Sequence, residues 1–294
     1  MTLSIGEFTK QYKTLIDNAL LSTIERLEAP EVLKEAMDYS LKAGGKRIRP
    51  LLLLSAIAAF DKEPASGLTA AVSIEMIHTY SLVHDDLPSM DDDDLRRGKP
   101  TNHIVYGEAM AILAGDGLLT HSFQLIADDK TWDAETKVKL ISLLARCAGP
   151  EGMVGGQTSD IQGENKHLDM EELEYIHRHK TGKLLTFSVL AGAIIGGATN
   201  EQLSLFEKYA HHLGLAFQIS DDILDIEGNE QIMGKPVGSD TGKTKSTYPS
   251  ILTLDGAKKH LSDHMEAAKN TLKEIDLQTT LLEQITDLIE GRDH

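Results

Sequence analysis

Leu213-Gly214-Leu215-Ala216-Phe217-Gln218-Ile219-Ser220-Asp221-Asp222-Ile223-Leu224-Asp225 decides how this chain is read. Gln218, Asp221, Asp222 and Asp225 are spaced i, i+3, i+4, i+7, so on a helix they form one stripe. Leu213, Leu215, Phe217, Ile219, Ile223 and Leu224 make the rest of the segment apolar. A solvated face is the usual reading of charged helix residues, but these flanks are too apolar for a surface helix. Carboxylates gathered in such a setting repel one another and lose hydration, unless a cation sits among them.

A second acidic motif lies upstream: His84-Asp85-Asp86-Leu87-Pro88-Ser89-Met90-Asp91-Asp92-Asp93-Asp94, followed by Leu95-Arg96-Arg97. It ends a long apolar stretch over 66–86. On a straight helix Asp85 and Asp91 point apart, and the break at Pro88 offers a way for them to converge. A hydrated acidic loop is the plainer account of this run alone. An EF-hand is excluded, because its alternating acidic spacing and central glycine are missing. Hard oxygen ligands suit Mg²⁺, which shares its shell with waters and substrate phosphates.

Around these motifs the chain reads as helix throughout. Candidate helices lie near 5–26, 31–42, 50–60, 66–86, 105–127, 134–147, 150–162, 170–178, 183–195, 201–226, 249–273 and 279–290. All eight prolines fall at or near expected ends, and alternating β-branched runs are absent. The fold class expected is all-α: one large bundle over residues 1–294, with no linker or internal repeat to divide it. The 41% apolar content is that of a globular protein. The run Leu51 to Phe60 is too short to span a bilayer and reads as a buried core helix. The N-terminus lacks the layout of a signal peptide, and Cys147 is the single cysteine. A cytoplasmic location and no stable membrane insertion are expected. The formal charge of -17, from 46 acidic and 29 basic residues, disfavours nucleic acid and anionic lipid as partners.

An anionic substrate therefore needs metal and local cations. Gly44-Gly45-Lys46-Arg47-Ile48-Arg49-Pro50 supplies three cations before an apolar helix, with Pro50 expected at its first position. Arg96-Arg97 form a pair suited to bidentate phosphate binding. Lys180-Thr181-Gly182-Lys183 and Lys235 to Lys245 add more. A lone surface lysine means little, but several basic groups paired with two acidic motifs point to polyphosphate. Gly238-Ser239-Asp240-Thr241-Gly242-Lys243-Thr244 has one residue too few between its glycines for a P-loop, and no strand precedes it.

With these residues in place, the chain resembles the bacterial farnesyl diphosphate synthases, short-chain trans-prenyltransferases of the polyprenyl synthase family. The likeness runs from Gly44-Gly45-Lys46-Arg47-Ile48-Arg49-Pro50 to Ser246-Thr247-Tyr248-Pro249. It rests on Asp85-Asp86-x-x-x-x-Asp91, Arg96-Arg97-Gly98-Lys99-Pro100-Thr101-Asn102-His103, Gly155-Gly156-Gln157, Lys180-Thr181-Gly182 and Asp221-Asp222-x-x-Asp225. It implies a homodimeric isoprenoid-synthase bundle with a central cavity bearing Mg²⁺. The substrates it implies are isopentenyl diphosphate and an allylic diphosphate, dimethylallyl or geranyl. Asp85, Asp91 and Asp221 are the implied direct Mg²⁺ ligands, with Asp86, Asp222 and Asp225 completing or supporting the clusters. Arg96, Lys180 and Lys235 are implied to grip the allylic diphosphate, and Lys46, Arg49, His78 and Arg97 the isopentenyl diphosphate. Thr181 and Gln218 are implied near the developing carbocation. A further phosphate lysine is either Lys243 or Lys245.

The chemistry implied is ionisation, condensation and elimination, which needs no protein nucleophile. Tyr80 lies five residues before Asp85, about 7–8 Å along a helix. The resemblance places chain-length control there, so Tyr80 is the expected cavity floor and the expected product is C15. The alternatives are a geranylgeranyl diphosphate synthase with the same chemistry, or a non-catalytic prenyltransferase subunit. Such a subunit is expected to have lost acidic motifs, and this chain keeps both.

Overall fold

The computed structural model describes residues 4–227 and 246–290. Lys235, Lys243, Lys245 and the segment 238–244 lie outside them. The chain divides into two compact units, Met1–Leu54 with Pro64–Ile141, and Ser55–Glu63 with Ser142–His294.

The first unit is built on α1 (Ile5–Glu25), α2 (Glu31–Leu41), the start of α3 (Ile48–Ala58), α4 (Leu68–Asp85), α5 (Asn102–Tyr106) and α6 (Glu108–Asp128). α7 (Ala134–Ala148) begins in it. A capping box starts α1: the Glu7 amide donates to the Ser4 hydroxyl, and the Ser4 amide donates to the Glu7 carboxylate. Phe8, Tyr12, Ile16, Leu20 and Ile24 then recur every four residues and are all buried. α4 packs on α6, α1 and α2, and most of its side chains are buried. That is why its sequence carries no polar face.

The second unit holds α8 (Met153–Gly163), α9 (Met170–Ile176), α10 (Lys183–Gly196), α11 (Asn200–Glu227), α12 (Tyr248–Leu252), α13 (Leu254–Glu274) and α14 (Thr280–Glu290). α10 is apolar nearly all round and almost wholly buried. α11 is the long central element, packed on α10, α12, α13 and α14.

The all-α expectation holds, with local corrections. α3 starts at Ile48, so Pro50 sits within its first turn, where a missing amide costs nothing. The run Leu51–Leu54 with Ala56 and Ile57 is buried, as a core helix requires. The helix expected over 105–127 breaks at Gly107, whose φ is 83°, and the one over 249–273 breaks at Thr253, whose φ is 70°. The helix expected from Pro150 begins at Met153. Leu95–Arg96 and Lys99–Pro100 form a small antiparallel hairpin, with positive φ at both turn residues, Arg97 and Gly98. Between α9 and α10 the backbone widens into a π-helical turn over His177–Gly182.

By length and composition α6 could cross a membrane, with a mean hydropathy of 1.2. Its Ala111, Ala114, Leu118 and Ile126 are buried within the first unit, against α4, α2 and α5. These contacts read as those of a packed helix.

Candidate active site

In the first unit the acidic motif grows from the end of α4. Asp85 is the last helical residue and Asp86 the cap. Pro88 has no amide to continue the ladder, and the chain turns back. The Asp91 amide then donates to the Asp85 carbonyl at 2.9 Å, and the Asp92 amide to that of Leu87 at 3.1 Å. The backbones of Asp85 and Asp91 thus converge as the proline break allowed. Val83, Leu87 and Ala111, with Met90 against them, form a buried apolar cluster under this turn.

The two arginines after the motif part company. Arg96 sends its Nε to both Asp86 carboxylate oxygens, at 2.7 and 2.9 Å. Asp86 is buried, and burial raises its carboxyl above the usual range although Arg96 pulls the other way. Asp86 therefore already has a strong cationic partner. Arg97 instead runs over Gly45, where a Cβ would come within 2.8 Å of its Nη1. Gly45 has a φ of 144°, a conformation that favours glycine.

The first basic segment also splits by role. Arg47 is buried and donates to Glu75 at 2.6 Å, Asp17 at 2.8 Å and the Leu41 carbonyl at 2.8 Å. It is a structural cation, not a spare one. Lys46 is exposed, and Arg49 is half-buried in the first turn of α3. His78 on α4 lies well below the usual imidazole range, through burial first and then the fields of Arg49, Arg97, Arg96 and Arg47. Arg49, His78 and Arg97, distant in sequence, thus belong to one electropositive neighbourhood.

In the second unit, α11 carries the acidic stripe as expected. Thr181 Oγ1 donates to Gln218 Oε1 at 3.1 Å, and Gln218 Nε2 donates to Asp222 Oδ1 at 3.1 Å. The other Asp222 oxygen accepts the Tyr248 amide at 3.0 Å. Asp222 and Asp225 are buried; Asp221 is half-buried. Lys180 Nζ donates to Asp160 at 2.6 Å. Asp160, Lys180, Thr181, Gln218 and Asp222 share a cleft with His177.

The π turn sets Lys180 and Thr181, and two glycines admit it. A Cβ on Gly156 of α8 would stand 2.1 Å from the Lys180 nitrogen, and one on Gly214 of α11 2.9 Å from the Gly182 Cα. Asp160 and the Tyr248 amide escaped the sequence reading. Nothing local marks Asp160 as the partner of a lysine two elements away. A backbone amide leaves no trace in residue type.

The polyprenyl synthetase family model matches residues 30–285. The chain belongs to that family. It is 60% identical over 294 residues to a farnesyl diphosphate synthase of Geobacillus stearothermophilus, covering 99% of both chains. It is 51% identical to the farnesyl diphosphate synthase of Bacillus subtilis over the full length of both. Among solved structures it is similar to a geranyltransferase from Helicobacter pylori complexed with magnesium and isoprenyl diphosphate. The TM-score is 0.82 and the identity 31%, with 99% of this chain and 98% of that one covered. Membership in the polyprenyl synthetase family agrees with the resemblance drawn from the two acidic motifs.

Proposed function

We propose that this chain condenses isopentenyl diphosphate with dimethylallyl and geranyl diphosphates to give farnesyl diphosphate. The observation that carries the reading is full-length 60% identity to a synthase of that product. In this reading residues 1–294 act as one catalytic domain.

The allylic C–O bond breaks, the double bond of isopentenyl diphosphate attacks the carbocation, and the released diphosphate takes the proton. Asp85, Asp91 and Asp221, with Asp86, Asp222 and Asp225 in support, would hold Mg²⁺, which would supply positive charge to the departing diphosphate. Magnesium is favoured by the all-oxygen donor set, by the convergence of Asp85 and Asp91, and by the magnesium in the Helicobacter relative. Arg96, held by Asp86, and Lys180, held by Asp160, orient the allylic diphosphate, joined by Lys235. Lys46, Arg49 and Arg97 bind isopentenyl diphosphate. A neutral His78 among these arginines adds a hydrogen bond without further repulsion. Thr181 and Gln218 lie near the developing carbocation in this reading, supported by the hydrogen-bond chain Thr181–Gln218–Asp222 and the Tyr248 amide. Tyr80 limits the chain to C15. A cytoplasmic homodimer completes the proposal; exposed Val105, Ile112 and Leu113 on α5 and α6 offer an apolar face for a second copy.

Product chromatography after incubation with isopentenyl and allylic diphosphates tests this reading, with and without Mg²⁺. Farnesyl diphosphate formed only with metal is expected. A mainly C20 product would make the chain a geranylgeranyl diphosphate synthase, and no product at all would leave it a non-catalytic subunit.

A further inference from the structure

The second unit holds another donor set, different in chemistry from the acidic motifs. Glu174 on α9 and His260 and His264 on α13 each present one ligand atom, all within 4.8 Å of one another. The histidines are four residues apart on one helix, so they share a face. α12 packs against both α9 and α13 and brings the carboxylate to them. All three residues are half-buried, which leaves access for an ion without leaving the donors fully hydrated.

Neighbours orient the donors. Nδ1 of His212 on α11 lies 3.0 Å from Nδ1 of His264. A single proton bridges two such nitrogens; carried on His264 and donated to His212, it leaves Nε2 of His264 bare as the ligand atom. Arg178 donates to Oε2 of Glu174 and fixes that carboxylate. Oriented imidazoles and a held carboxylate are the outer support that metal-ligating groups need.

We propose that Glu174, His260 and His264 bind one divalent transition-metal ion of the zinc type, separate from the magnesium chemistry of the acidic motifs. Two imidazole nitrogens and one carboxylate suit Zn²⁺ and its neighbours, whereas Mg²⁺ prefers oxygen alone. Three protein ligands leave a fourth position for water or a small ligand. An ion there ties α9 to α13 and favours the folded state by its binding energy. Tyr248 lies alongside, with its ring 6.4 Å from that of His260, and its amide holds Asp222. The ion therefore braces an element that also supports the acidic stripe.

The test is calorimetric titration of the untagged full chain with Zn²⁺, in millimolar Mg²⁺ and without diphosphate, so that Mg²⁺ competes for oxygen-only sites. One Zn²⁺ per chain is expected, with a rise in Tm. Co²⁺ in its place should show the visible bands of a low-coordinate nitrogen–oxygen site. His264→Gln and Glu174→Gln should each weaken Zn²⁺ at least about a hundredfold, more than the loss of an outer-shell partner costs. Both should keep wild-type Mg²⁺-dependent condensation, which also reports that they fold. If one variant loses that activity, the other and the Co²⁺ spectrum decide. No Zn²⁺ uptake by the wild type under Mg²⁺, or unchanged affinity in a folded variant, would overturn the proposal.

Discussion

At the scale of residues, the acidic positions differ in their surroundings. Asp86 and Asp222 are buried and engaged, the one by Arg96 and the other by Gln218 and the Tyr248 amide. Asp85, Asp91 and Asp221, the proposed direct ligands, are half-buried. Asp85→Ala or Asp221→Ala should therefore cut turnover at least about a hundredfold, the scale of losing one strong electrostatic contributor. The fold should survive, because neither side chain belongs to the buried core. Near-normal turnover from either folded variant would remove that aspartate from the machinery. Arg49→Ala should chiefly raise KM for isopentenyl diphosphate, with the KM for the allylic substrate little changed. Steady-state kinetics with each substrate varied in turn separates the two. Tyr80 is buried and meets His84 edge-on, with ring centroids 5.6 Å apart. Tyr80→Ala should lengthen the product toward C20, read by chromatography. An active variant that still stops at C15 would show that Tyr80 is not the floor.

At the scale of elements, the π turn over His177–Gly182 depends on helices that come close enough to touch its backbone. Gly156 allows this for α8. An added methyl would meet the Lys180 nitrogen and the His179 carbonyl carbon, at 2.1 and 2.7 Å, and backbone atoms cannot rotate away. Gly156→Ala should cost about 1–3 kcal/mol of stability, as overpacking does. It should also displace Lys180 and Thr181, raising the allylic KM by tenfold or so (about 1.4 kcal/mol of lost binding). Thermal melts together with kinetics check both effects. An unchanged Tm would mean that α8 shifts without cost.

For the whole molecule, buried His177 contributes to the response to acid. His177 is buried, its Nδ1 has no hydrogen-bond partner among the described residues, and burial lowers its pKa to about 3. The unfolded chain binds a proton at that histidine near pH 6.5 while the folded chain does not. Between those two values the unfolded state holds more protons, so stability rises with pH and falls as acid is added. The slope from this one group is about 1.4 kcal/mol per pH unit. His177→Gln should flatten the stability curve between about pH 6 and pH 4 relative to wild type, measured by denaturant titration at each pH. An unaltered slope would place the acid sensitivity elsewhere.

Across these scales, the sequence by itself determined the helices and the chemistry. Periodicity reports which face of a helix is buried, so α1, α4, α10 and α11 were legible, and so were the aspartate stripe and the basic segments. Local residue type also bounds chemistry: carboxylates amid apolar residues demand a cation wherever they lie. Only the tertiary structure decided which charges were already spent. Arg47 looks in sequence like its basic neighbours, yet it is consumed by Glu75 and Asp17, because partnership depends on which helices meet. Arg96 and Arg97 looked like one clamp and face different partners, because Arg96 ends the first strand of the hairpin while Arg97 opens its two-residue turn. The breaks at Gly107 and Thr253, the π turn, and the cluster of Glu174, His260 and His264 also stayed hidden. The two breaks are local changes of backbone φ, while the π turn and the cluster join segments apart in the chain; hydrophobic periodicity carries no record of either.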